Sequence, residues 1–197
     1  MKLLRAAQVA ILPLSLVGCA AIGGVMPTDD TYELGVPTIS DTRPVRRGTQ
    51  ILIAEPQALK ALDSQNIVVQ TDPLTIQYLG KSQWSDRLPR VVQMRLAQAF
   101  QNSDRFKGVG LPGQGLAIDY QIVTEIRSFG IEAPSNAAHV AIAVKILNDR
   151  NGVVASERVF EERVVATGSD NAAFVAALDA AFENVARDIV SWATARL

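Results

Sequence analysis

Between residues 116 and 165 the chain alternates apolar and polar side chains in three long runs, and this pattern constrains the fold more than any other. Leu116, Ile118, Tyr120, Ile122 and Ile126 share one parity, whereas Asp119, Gln121, Glu125 and Arg127 share the other. Successive side chains of a strand point to opposite faces, so such a run predicts a strand with one buried face over 116–127. Residues 138–147 repeat the pattern with Val140, Ile142, Val144 and Ile146. A polar turn at 148–152 leads into a third run, 153–165, where the adjacent Val159 and Phe160 point to a bulge. Three consecutive strands joined by short turns predict an antiparallel meander.

A meander with one apolar face needs a cover, and two helical patterns supply it. Over 86–101, Leu88, Val92, Leu96 and Phe100 recur at helical spacing, with Ser85 or Asp86 as N-cap and Pro89 in the first turn. Over 170–195, Phe174, Leu178, Phe182, Val185, Ile189 and Trp192 form one stripe, capped by Ser169 or Asp170. Shorter apolar runs predict strands at 32–34, 50–54, 66–70, 74–79 and 106–109, the middle pair as a hairpin, with one helical turn at 56–62. The expected fold class is α/β (α+β-like): a single domain with a mixed β-sheet, an antiparallel meander and two main helices.

The first residues address the chain rather than fold it. Lys2 and Arg5 precede the apolar stretch 6–17, which ends in Leu16-Val17-Gly18-Cys19. That stretch of about 12 residues is too short to cross a bilayer core, which takes about 20 in helical form, and Pro13 interrupts it. A cleaved export signal over 1–18 is expected, with Cys19 as the lipid-attachment residue. Cys19 is the single cysteine, so once it is acylated no thiol is left for a disulfide, a metal or a nucleophile. Residues 19–30 hold two glycines and a proline without periodicity and read as a flexible tether, which leaves 31–197 as the domain. Ala20 in place of aspartate leans towards the outer membrane.

Loss of Lys2 and Arg5 moves the formal charge from −1 to −3. A weakly acidic surface does not suggest a nucleic-acid partner, which calls for clustered Lys and Arg. His139 is the only histidine. Without cysteine or a second histidine it falls short of a metal site, and a place on a sheet face fits it better than a role as base or ligand. Asp29-Asp30 and Glu161-Glu162 are adjacent residues that project to opposite faces of an extended chain, so neither forms a carboxylate pair. Gly108-Val-Gly110 and Gly113-Gln-Gly115 lack a following Lys-Ser/Thr and read as turns. Arg43, Arg46 and Arg47 read as a solvated loop, with anionic headgroups as the alternative contact. No catalytic residue, metal or cofactor is expected beyond the covalent lipid on Cys19.

The order of motifs resembles the ABC-type transport auxiliary lipoproteins, including the paraquat-inducible protein C lipoproteins. The likeness is carried by Tyr32-x-Leu34 after the lipobox, the strand 51–56 ending in proline, Asn66-Ile-Val-Val, Ile76-x-Tyr78, Trp84-x-Asp86-x-x-Pro89, Asp119-Tyr120 and a closing helix with Trp192. The resemblance implies a fold like that of anticodon-binding and TolB N-terminal domains. It also implies a non-enzymatic, membrane-anchored periplasmic adaptor at the outer membrane. Its partners would be a mammalian-cell-entry-domain tunnel protein with an ABC permease and ATPase, and ring-shaped homo-oligomers are compatible with such tunnels. The alternative is an outer-membrane lipoprotein activator of a cell-wall synthase, against which the short tether weighs. Trp84 is the candidate partner contact, since tryptophan is enriched at binding hot spots; its other reading is a cover for the sheet edge. Asp86 reads as the helix cap.

Overall fold

The computed structural model describes residues 29–39 and 48–197. The signal 1–18, Cys19, most of the tether and Arg43, Arg46 and Arg47 lie outside the described residues. Nine strands form one mixed sheet and two helices pack on one of its faces. In chain order these are β1 (Asp30–Tyr32), β2 (Gln50–Ile53), β3 (Gln57–Ala58), β4 (Asn66–Asp72), β5 (Thr75–Trp84), α1 (Leu88–Asn102), β6 (Gly108–Gly110), β7 (Tyr120–Glu132), β8 (Ala137–Asn148), β9 (Val154–Val165) and α2 (Asn171–Thr194).

The long strand β7 organises the sheet. Along one side it pairs antiparallel with β8 over its whole length, and β8 pairs antiparallel with β9, so the meander expected from the alternation is present. Along the other side β7 is met in succession by three short parallel strands. Ile51–Ile53 lie opposite Tyr120–Ile122, Gln57–Ala58 opposite Glu125–Ile126, and Val68–Gln70 opposite Gly130–Glu132. One stretch of chain, 50–70, thus covers that side, with a detour at 59–65. Beyond it β6 flanks β2, and β5 with β1 flanks β4. Among the described residues β9 pairs only with β8, so it forms an outer edge 12 residues long.

Several expected boundaries move, each for an identifiable reason. The helical turn at 56–62 is replaced by β3 and a turn closed by the Leu62 and Asp63 amides on the Leu59 carbonyl. The ladder groups of β7 opposite it satisfy this backbone better than an isolated turn would. The first strand ends at Tyr32 rather than Leu34, because Leu34 leaves the sheet for the core and the next amide, Gly35, donates to Asp179 of α2 at 2.7 Å. β7 starts at Tyr120 rather than 116, and Leu116 is exposed. It also continues past Arg127: a register shift between Ile126 and Ser128 switches the parity, and Phe129 and Ile131 then take up the buried face. The irregularity of β9 sits at Ala155, where Ser156 pairs with Ile146 and Val154 with Leu147; it is not at Val159-Phe160.

Asp170 caps α2, accepting the Ala173 amide at 2.9 Å. Helix α1 departs from expectation, since its N-cap is Arg87 with no side-chain cap and Asp86 accepts only the Arg87 amide. The Leu88 amide instead donates to the Ser64 carbonyl at 2.9 Å, so the 59–65 detour supplies the acceptor that a capping side chain otherwise would.

The core lies between the helices and the sheet. Trp84 packs edge-on against Phe129 at 5.8 Å, Phe129 meets Phe182 of α2 at 6.0 Å, and Phe160 of β9 meets Trp192 at 5.5 Å. Gly130 is required where β7 meets β4: a Cβ there would stand 2.6 Å from the Val68 carbonyl oxygen. Gly130→Ala is therefore expected to destabilise the domain by about 1–3 kcal/mol, measured by urea unfolding, because backbone rather than a flexible side chain must yield.

Candidate functional site

Helix α2 covers one face of the meander, with α1 beside it over β2 and β6, which leaves the opposite face open. In the register of the strands, Ser128, Gly130 and Glu132 of β7 share that face with Ala137, His139, Ala141 and Ala143 of β8. The β9 residues on it are Val159, Glu161, Arg163 and Val165. The middle strand carries mostly alanine here, so the face is shallow, and the longer side chains stand on its flanks.

The chemistry of this face centres on His139. Its Nδ1 lies 3.0 Å from Glu132 Oε1 and 3.1 Å from Ser128 Oγ, and its Nε2 lies 3.0 Å from Glu161 Oε1. Arg163 bridges both carboxylates, donating to Glu161 and, through Nε at 3.3 Å, to Glu132. The Arg163 hydrogen bond first, and that of His139 second, hold the Glu161 carboxyl below its ordinary range. Ser128, His139 and Glu161 stand in a row that superficially matches a nucleophile, base and acid. In such a row the serine proton would pass to Nδ1, yet that nitrogen is shared with the Glu132 carboxylate at 3.0 Å and the Arg163 guanidinium at 3.5 Å, so the serine does not have it to itself. The imidazole thus stands between two carboxylates that are each also paired with Arg163, and the group is an ion-pair network centred on the guanidinium. Among the described residues no three His, Cys, Asp or Glu side chains are arranged to hold a metal.

Beside this network the same face opens into a concavity of about 240 Å³. Leu59, Leu62, Val68, Ile76 and Gly130 line it, with Arg127, Glu132 and His139 towards its polar side. A shallow apolar hollow next to charge-paired groups suits binding of an apolar group.

The residues singled out from sequence distribute unevenly. Cys19 lies outside the described residues. Trp84 is 1% exposed and sits in the core against Phe129, so the partner-contact reading gives way to the structural one. His139 does lie on a sheet face, but at the centre of four polar partners. Glu161, which forms no carboxylate pair with its neighbour Glu162, is one of them, and Ser128, Glu132 and Arg163 carry no signal in the sequence. Only the cross-strand register, which places His139 between Gly130 and Arg163, brings them together.

Asp119, part of the Asp119-Tyr120 motif, has a structural task. Its carboxylate accepts the Gln50 amide at 3.0 Å and binds Arg150 at 2.7 Å, which ties β2 to the start of β7 and to the β8–β9 turn. The Gln50 hydrogen bond first, then that of Arg150, lower its pKa. The folded value therefore lies below the unfolded one of about 3.9. Its stabilisation is present in full above pH ~4 and is lost as pH falls through the folded value. In urea unfolding followed from about pH 4.5 downwards, Asp119→Asn is expected to flatten the acid-side loss of stability relative to the unaltered chain.

The model of the ABC-type transport auxiliary lipoprotein component family matches residues 32–190, from the last residue of β1 through β9 and most of α2. The chain belongs to this family. Members of the family are lipoproteins, which places the protein in the cell envelope with a lipid anchor. An uncharacterized protein of Bradyrhizobium diazoefficiens is 29% identical over 174 residues, covering 86% of this chain and 46% of that protein. The chain thus spans about half the length of this curated relative. Among solved structures, a Xanthomonas campestris protein of the DUF330 family shares the fold with a TM-score of 0.79, at 22% identity over 85% of this chain and 95% of that one. The PelC dodecamer of Paraburkholderia phytofirmans is more distant, with a TM-score of 0.52 and 9% identity over 80% and 95% of the two chains.

Proposed function

We propose that this auxiliary lipoprotein is a non-catalytic periplasmic adaptor of an intermembrane lipid transport system, anchored through Cys19 in the outer membrane. Its partner is a tunnel protein with mammalian-cell-entry domains, served by an ABC permease and ATPase. The match to the transport auxiliary family over 32–190 carries the reading. Support comes from the lipobox 16–19 and from the open face, where paired charged groups stand beside an apolar binding hollow. Assembly into a ring belongs to the same proposal, and the dodecamer formed by PelC offers a precedent on a related fold.

Affinity capture from solubilised envelopes, with the lipidated protein as bait, tests the proposal. Recovery of a mammalian-cell-entry protein is the expected result. Recovery of a penicillin-binding protein in its place overturns it in favour of an activator of cell-wall synthesis.

A further inference from the structure

The turn between β4 and β5 carries an apolar side chain that the fold does not use. Leu74 is 96% exposed, although turn formation there needs only Asp72, whose carboxylate accepts the Leu74 amide at 2.9 Å. Ile76 and Tyr78 continue the apolar surface along β5, each about half exposed, and Leu59 joins Ile76 across the hollow. At the same end of the sheet stand Pro134, which shares a depression with Pro73, and the exposed Val165 that closes β9. A contiguous exposed apolar surface of this kind marks an interaction site.

The direction of the chain identifies what this end faces. β1 runs parallel to β5, with Asp30 opposite Ser82 and Tyr32 opposite Trp84. The amino-terminal end of β1 therefore points along β5 in the direction of Thr75 and the hairpin turn. Ser82 and Thr75 are about 23 Å apart along the strand, while residues 19–29 can reach at most about 36 Å. A tether of this length is long enough to let a lipid on Cys19 and the hairpin turn meet the same bilayer. Residues 66–80 contain no Lys or Arg and one acid, Asp72, so the contact is apolar and does not call for anionic headgroups.

We infer that the β4–β5 hairpin is a bilayer-contact tip: Leu74, flanked by Pro73, enters the interfacial layer of the membrane that holds the Cys19 lipid, and so sets the orientation of the domain. The inference rests on the anchored reading above and adds to it a second, non-covalent point of contact. A lipid group alone leaves the domain free to swivel, whereas two contacts on one end hold the open face and its hollow sideways to the membrane.

In the processed protein Cys19 is acylated, so an introduced cysteine is the one free thiol. Leu74→Cys and, at the opposite end of the sheet, Lys107→Cys are each labelled with an environment-sensitive fluorophore and reconstituted into phosphatidylcholine vesicles containing a nitroxide lipid. Both sites are exposed, so neither change disturbs packing. The probe at position 74 is expected to lose about half its emission to the shallow quencher, as an interfacial group does, irrespective of salt, while the probe at 107 keeps its own. Equal, unquenched emission from both positions in protein that floats with the vesicles overturns the tip and leaves the anchor standing. A position 74 shielded from aqueous quencher but untouched by the lipid nitroxide shows a protein contact instead and overturns it as well. Protein that fails to float with vesicles takes down the anchor and the tip together.

Discussion

Replacing Trp84 by alanine is expected to cost the domain about 3–5 kcal/mol, the range for removing a large buried aromatic. The side chain lies where β1, β5 and the entry to α1 converge. Its backbone amide bonds the Gln65 carbonyl, its strand neighbour is Tyr32, and its ring stands at 86° to Phe129. Phe129 in turn leans on Phe182, so the cavity left by the indole would open beneath a chain of aromatic contacts from β5 to α2. Domains of this size have about 5–15 kcal/mol of stability in total, so the change would consume a large share of it. Chemical denaturation followed by circular dichroism measures the effect. An exposed partner-contact tryptophan would shift stability by no more than about 0.5 kcal/mol and would alter capture of the partner instead. Trp84→Phe, which keeps the edge-to-face contact, should recover part of the loss.

Cys19→Ala, placed behind a conventional cleavable export leader, is expected to move the protein from the membrane pellet to the soluble periplasmic fraction without altering its unfolding curve. One acyl chain gives only marginal attachment, with a binding constant of about 10⁴ M⁻¹, whereas two or more hold a protein stably. The Leu74 tip contributes a single side chain and cannot replace them. Among the described residues no helix is long and apolar enough to cross a membrane. Fractionation with immunoblotting reads the outcome. Retention of the variant in the membrane pellet would show that something other than the Cys19 lipid holds it.

How much of this was legible in the sequence depends on where the stabilising partners come from. The meander, β8 and α2 were readable because long alternation and a clean 3.6-residue stripe are local signals, and Asp170 sits where an N-cap belongs. β3 was not, because a two-residue strand exists only through its pairing with Glu125 and Ile126, far away in sequence. The cap of α1 failed similarly, since a backbone carbonyl at Ser64 took the place of the side chain that sequence patterns look for. Trp84 shows the ambiguity of a lone aromatic, which anchors a core and an interface by the same physics. His139 illustrates the converse: a residue dismissed for lack of neighbours in sequence gains four of them through register. Leu74 had a signal that went unread, namely a large apolar side chain one residue after Asp72-Pro73 in a turn.

The long outer strand β9 has a consequence for life on a surface. One side of its backbone offers donors and acceptors to any extended chain that drifts alongside, a hazard that grows when many copies are crowded into the plane of a membrane. Its sequence, with Glu157, Arg158, Glu161, Glu162 and Arg163 in close succession, sets charge on both faces of that rim. An intruding apolar segment would have to strip water from these groups before it could zip on. The strand is thus fenced against runaway stacking at the densities that anchoring imposes.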